Sequence, residues 1–163
     1  MDYLLDTGVL IRLTEPSDAA HPVISEAVKQ LWKTGARLVV SMQNIAAFWV
    51  TSTRPKEARG GLGLSIETVA HRLRMLEAAI VLLPDPPTLY EHWRQIVFEY
   101  RVFGVQAHDA RIAAFMDVYG IKNLITLNSR DFRRYPWINV IDPHDVARSN
   151  EIVDTGHQTS GGH

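Results

Sequence analysis

Three aspartates, Asp6, Asp109 and Asp131, stand where side chains could meet over a substrate. Asp6 closes the apolar run Tyr3-Leu4-Leu5, and behind it come Thr7, Gly8 and a second apolar run, Val9 to Leu13. The first run is short and apolar and reads as a buried strand of a parallel sheet; the second reads as the opening turns of a helix. Asp6 then lies at the carboxyl end of a strand beside a helix amino terminus, where open α/β sheets bind ligands. A carboxylate there can be an acid–base group, a metal ligand or a helix cap. Asp109 falls in the first turn of a helix that opens at Gln106. Asp131 lies just past the strand Lys122 to Leu127, in Thr126-Leu127-Asn128-Ser129-Arg130-Asp131-Phe132. If the strands are parallel, the ends of the first strand and of Lys122–Leu127 share one edge. A helix starting near that edge brings Asp109 to it. Clustered carboxylates repel unless something positive lies between them, so such a cluster implies Mg²⁺ or Mn²⁺. Phosphodiester hydrolysis is the chemistry that most often uses such a site: metals activate a water and stabilise charge on the phosphate oxygens. Taken singly, Asp109 also reads as a first-turn helix acid, and Asp131 as a loop acid paired to Arg130 or Arg133.

The elements that must position these acids alternate along the chain. Thr14 to Pro22 reads as a loop, and His21-Pro22 opens a helix with proline in its first turn. Val23, Ala27, Val28, Leu31 and Trp32 recur at helical spacing until Gly35. Ala36 to Val40 reads as a second strand. Ser41 is placed to cap a helix over Met42 to Thr53, with Ile45, Phe48, Trp49 and Ser52 on one stripe and Pro55 as its stop. A polar, glycine-rich loop, Lys56 to Gly63, leads to a helix started by Ser65 and Thr68 and marked by Ile66, Val69, Leu73, Leu76 and Ile80. Val81 to Leu83 reads as a short third strand, and Thr88 as the cap of a helix through Tyr100. Gln106 to Tyr119 forms the next helix, ended by Gly120. Lys122 to Leu127 shows alternate apolar positions, Asn128 to Trp137 reads as a polar loop, and Ile138 to Ile141 as a last strand. Residues 148–163 are polar and glycine-rich and read as a frayed tail. Alternating strands and helices mean an α/β fold with a mostly parallel sheet.

With 163 residues, the chain is most simply one domain with a real core. A net charge near −1 excludes a globally basic nucleic-acid binder but leaves room for a local basic patch. There is no cysteine, hence no disulfide and no thiolate zinc site, which fits a cytoplasmic protein. No apolar run approaches a membrane span, and no basic region followed by a long apolar segment marks a signal peptide.

Four segments, in order, resemble the PIN-domain ribonucleases. Tyr3-Leu4-Leu5-Asp6-Thr7-Gly8-Val9-Leu10 is similar to their opening, which usually reads Leu-Asp-Thr-Asn-Val-Leu. Ser41-Met42-Gln43-Asn44-Ile45, Phe48-Trp49 and Thr53-Arg54-Pro55 resemble their second strand and helix. His108-Asp109-Ala110-Arg111-Ile112-Ala113-Ala114 resembles their third-acid helix, and Thr126 to Phe132 their Thr-x-Asn-x-x-Asp-Phe loop. The nearest subgroup is the VapC-type toxins of type II toxin–antitoxin modules. The resemblance implies a three-layer α/β/α PIN-like domain over residues 1–147. It implies a metal-dependent endoribonuclease that cleaves RNA, is held in check by a bound antitoxin and forms a homodimer. Asp6, Asp109 and Asp131 would hold Mg²⁺ or Mn²⁺, Thr7 and Asn128 would orient ligands or water, and Arg130 would contact phosphate.

Two positions depart from the family. Gly8 stands where asparagine is usual. Ala47 stands where the family carries its second acid, a glutamate, and no nearby acid fills the slot. Loss of such a carboxylate weakens metal binding, by about 10–100-fold even for an outer ligand. An inactive PIN domain that binds RNA or protein is therefore the alternative function.

Other features carry less. Asp6-Thr7-Gly8 is also the core of the aspartic-protease motif, but those proteases are almost wholly β, and here a helix follows. Glu67 and His71, one helical turn apart, fit a solvated helix face better than a metal site. His108 is the one histidine placed beside a candidate acid. Arg130, Arg133 and Arg134 cluster beside Asp131 and fit either a solvated loop or contacts to RNA phosphates.

Overall fold

The computed structural model describes residues 1–155, with side chains through 149. Five short strands form one wholly parallel sheet: β1 (Asp2–Leu5), β2 (Arg37–Ser41), β3 (Val81–Leu83), β4 (Asn123–Ile125) and β5 (Asn139–Ile141). Their order across the sheet is β3-β2-β1-β4-β5. The central strand β1 pairs Tyr3 with Leu38 on one side and with Asn123 on the other. The chain winds outward from β1 to β3, then returns to lay β4 beside β1. The winding reverses between β1 and β4, and such a reversal opens a crevice at the carboxyl ends of the strands.

The helices are α1 (Thr7–Leu13), α2 (His21–Lys33), α3 (Met42–Thr53), α4 (Ile66–Ala79), α5 (Leu89–Glu99), α6 (Gln106–Tyr119) and α7 (Pro143–Thr155). Successive strand residues point to opposite faces, so the sheet builds two cores. Leu4, Val39 and Leu124 join Phe115, Met116 and Ile96 of α6 and α5 on one face. Leu5, Leu38, Val40 and Ile125 join Val9, Leu10, Ile24, Phe48 and Leu76 on the other. This is a three-layer α/β/α sandwich, as expected.

Start signals worked where a side chain could reach the backbone. The Ser41 hydroxyl accepts from Asn44 N, while the Asn44 side chain accepts from Ser41 N, a reciprocal cap at the head of α3. Ser65 accepts from Thr68 N at 3.2 Å. Thr88 precedes α5 but makes no side-chain cap, so that expectation fails.

Three other expectations are corrected. The fourth strand is only Asn123–Ile125 and is buried at all three positions instead of alternating, because helices cover both faces of a central strand. The segment 128–137 is more than a polar loop. It contains a 3₁₀ turn at Ser129–Asp131, and Phe132 and Tyr135 are buried on the α6 side. The tail expected from 148 is helical through Thr155, as part of α7, which packs against α2. The remainder of that tail, 156–163, lies outside the described residues. Asp142 accepts from His144 N at 2.8 Å, with Pro143 in the first helical position, so the start of α7 was written in Asp142-Pro143.

Candidate active site

Asp6 sits at the crevice between β1 and β4. Its backbone N–H donates to Ile125 O at 3.0 Å, and its carboxylate caps α1 by accepting from Thr7 N at 2.8 Å. The cap role weighed from the sequence is thus real. The second oxygen, Oδ2, accepts from the Thr126 hydroxyl at 2.7 Å, across the gap from the end of β4. Burial pushes the Asp6 pKa up against these two hydrogen bonds, and the charge of Asp131 pushes the same way.

Asp109 reaches the same edge by topology. A helix that leads into a parallel strand starts at the sheet's carboxyl edge, so the first turn of α6 lies there. Partial burial, then the charges of Asp131 and Asp6, raise the Asp109 pKa to about 6; nearby His108 lowers it. Asp131, in the 3₁₀ turn after β4, accepts from the Asn128 side chain. It takes that amide as partner instead of Arg130 or Arg133. Asp131 thus acts on both Asp6 and Asp109, and Asp6 acts on Asp109, across three separate elements.

The supporting residues divide. Asn128 holds Asp131, and its own N–H donates to the Thr126 hydroxyl at 3.0 Å. Thr7 contributes its backbone to Asp6, while its hydroxyl faces α3, 3.5 Å from both the Asn44 carbonyl and side-chain amide. Arg130 is exposed. Glu67 and His71 are exposed on α4, a solvated face.

Sequence reasoning overlooked three residues here. Thr126 is fully buried and links Asp6 to Asn128. Gln43 donates from its side chain to His108 O at 2.8 Å, tying α3 to the first turn of α6 beside Asp109. Arg111 donates to Gln43 Oε1 at 2.8 Å and to Asp85 Oδ2 at 2.6 Å. Each lies within or near a quoted motif, but only the fold shows what its side chain meets.

The sequence matches the PIN domain over residues 3–138. The chain belongs to the PIN-domain family. No curated protein matches it in sequence. Its fold is similar to that of VapBC2 from Rickettsia felis, solved bound to a promoter DNA fragment, with a TM-score of 0.67 and 16% identity over 87% of this chain and 98% of that one. It is similar to VapBC-1 from nontypeable Haemophilus influenzae, with a TM-score of 0.62 and 24% identity over 88% of this chain and 98% of that one. It is also similar to VapC20 of Mycobacterium tuberculosis, a sarcin–ricin loop cleaving toxin, with a TM-score of 0.53 and 20% identity over 75% of this chain and 86% of that one. At these identities the likeness is one of fold.

In this PIN domain the donor set suits a hard divalent cation. It is all oxygen, and mutual repulsion helps raise Asp109 to about 6, a strain that a cation would relieve. Among the described residues, no three acidic or histidine side chains close on one point as a ready metal cage. Ala47 lies one helical turn after Asn44, on the side of α3 that reaches Thr7.

Proposed function

We propose that this PIN domain is a divalent-metal endoribonuclease, the toxin of a VapBC-type toxin–antitoxin pair, with activity impaired by Ala47. The observation that carries the reading is that Asp6 follows β1, Asp131 follows β4 and Asp109 lies in the first turn of α6, with the charges of Asp131 and Asp6 adding to burial in raising the Asp109 pKa. A peptidase of the Asp-Thr-Gly type has no support, since its all-β architecture is absent and a parallel α/β sandwich stands in its place.

Asp6, Asp109 and Asp131 would hold Mg²⁺ or Mn²⁺. When bound, the ion supplies a water of lowered pKa, neutralisation among the acids and stabilisation of charge on the phosphate oxygens. Thr126 and the Thr7 N–H each bond one oxygen of Asp6 and fix its orientation. Asn128 orients Asp131. Arg130, exposed beside Asp131, contacts a backbone phosphate of the RNA, which makes binding salt-sensitive. The antitoxin would bind in a groove near these acids and hold the enzyme in check. Absence of cysteine suits action in the cytoplasm. Among the described residues, no helix is long and apolar enough to cross a membrane.

Ala47 favours a second reading: a catalytically inactive PIN domain that binds RNA or protein. One experiment separates the two. A fluorogenic RNA is incubated at fixed salt with Mg²⁺ or Mn²⁺ and the parent chain, Ala47→Glu or Asp6→Asn. The ribonuclease reading expects metal-dependent cleavage that Ala47→Glu raises and Asp6→Asn abolishes. Absence of cleavage from both the parent and Ala47→Glu rejects it and leaves the binding module.

A further inference from the structure

The β3 end of the same sheet edge carries a second concave feature. The link from β3 to α5 runs Pro84-Asp85-Pro86-Pro87, and with the head of α5 it walls a cavity of about 430 Å³. Pro86, Pro87, Leu89, Tyr90, Trp93 and Arg111 line it. Tyr90 is 64% exposed, an unusual place for a large ring on the first turn of a helix. Its ring lies 6.2 Å from that of Trp93, tilted by 34°. Trp93 is held in place by donating its indole N–H to Ala107 O at 2.9 Å.

The polar atoms of this lining are largely spent. The Arg111 guanidinium engages Gln43 and Asp85, and the Trp93 donor engages α6. The lining is therefore mostly ring and apolar surface, from an indole, a phenol, two prolines and Leu89, beside a guanidinium held by its partners. Such a surface offers stacking and little hydrogen-bond discrimination, the recognition used for unpaired bases. Its position agrees. Gln43 joins Arg111 to the first turn of α6, the turn that holds Asp109. β3 lies two strands from β1, roughly 10 Å at the usual interstrand spacing. A strand laid across the acids along the sheet edge thus brings a neighbouring base to this cavity.

We propose that the cavity beside Tyr90 and Trp93 is a stacking subsite for a single-stranded RNA base flanking the scissile phosphate, accepting any base. The assignment rests on the ribonuclease reading above. Tyr90 forms its outer wall. Trp93, fixed to α6, forms its floor, and the Asp85–Arg111–Gln43 chain keeps the cavity in register with Asp109.

The test uses short single-stranded RNA carrying 2-aminopurine at successive positions, with chelator present to prevent hydrolysis. Binding is read by anisotropy and stacking by quenching of the 2-aminopurine. The parent chain is expected to bind and to quench one position most strongly. Tyr90→Ala should weaken binding by about 10-fold and remove that quenching, while Tyr90→Phe keeps both. Tyr90→Leu, which retains apolar bulk, should behave as Tyr90→Ala and guards against a folding defect in the smaller variant. RNA binding by the parent that all three variants share unchanged overturns the subsite and leaves the ribonuclease reading standing. The subsite is likewise overturned if Tyr90→Ala spares RNA but abolishes capture of the co-expressed antitoxin, since the cavity is then a protein dock. Failure of the parent to bind any RNA overturns the subsite, while the ribonuclease reading is decided by the cleavage assay with metal.

Discussion

The buried hydroxyl of Thr126 donates to Asp6 Oδ2 at 2.7 Å, joining the carboxyl ends of β4 and β1 through one side chain. The hydroxyl oxygen also accepts from Asn128 N, so it shapes the turn that presents Asp131. Thr126→Val keeps the shape and removes both bonds. It should destabilise the fold by about 1–3 kcal/mol, because a buried carboxylate and an amide lose their partner. It should also raise the Asp6 pKa further, since the lost bond favours the charged form. Urea denaturation and NMR titration of Asp6 measure the two effects. An unchanged midpoint together with an unchanged pKa contradicts the role given to Thr126.

Asp109 sets a pH dependence of stability. Its folded pKa of about 6 lies above the ordinary carboxylate value, so the native state holds a proton that the unfolded chain has released. Metal-free stability should therefore fall as pH rises from about 4 to about 6 and then level off. Asp109→Asn should reduce this decline, leaving the share that comes from Asp6, whose pKa burial also raises, and make the metal-free protein more stable at pH 7 by on the order of 1 kcal/mol. Denaturation midpoints at a series of pH values, with chelator present, give the result. A decline undiminished in Asp109→Asn assigns it to other groups.

Ala47→Glu acts on metal binding and on repulsion in opposite senses. It adds a fourth negative charge near three acids, so it should destabilise the metal-free chain and tighten Mn²⁺ binding by about 10–100-fold. Ala47→Gln, similar in size and uncharged, should do neither. Calorimetric titration with Mn²⁺ and thermal melts with and without the ion compare them. If the glutamine variant matches the glutamate variant, charge is not what position 47 lacks.

Self-association should run through helices of the first half of the chain. Trp32, Met42, Val50 and Ile66 there are large, apolar and exposed. Sedimentation at increasing concentration should show a dimer, and Val50→Lys should shift it toward monomer. A parent that stays monomeric at high micromolar concentration removes the homodimer expected of the toxin.

Much of this fold is legible in the sequence where neighbours along the chain settle the matter. Helix α6 has the expected bounds, Gln106–Tyr119, because its small apolar positions persist until Gly120 takes a left-handed turn with φ of +67°. The head of α3 is equally local, since Ser41 and Asn44 cap each other across one turn. Errors came where distant packing decides. The strand Asn123–Ile125 is short and buried on both faces because it is central, and polar spacing in 128–137 concealed that Phe132 and Tyr135 are core residues.

The sequence alone determined the alternation of strands and helices and the three aspartates at element ends, since these are properties of residue type and spacing; that Ala47 stands where a glutamate is usual came from the resemblance to PIN domains. Only the tertiary structure decided what those acids meet. The reversal between β1 and β4 puts Thr126 against Asp6 across 120 positions of chain, and crossing helices set Gln43 against His108 and Arg111. Such contacts leave no periodic trace, because they depend on which strands become neighbours and not on the order of residues along either one.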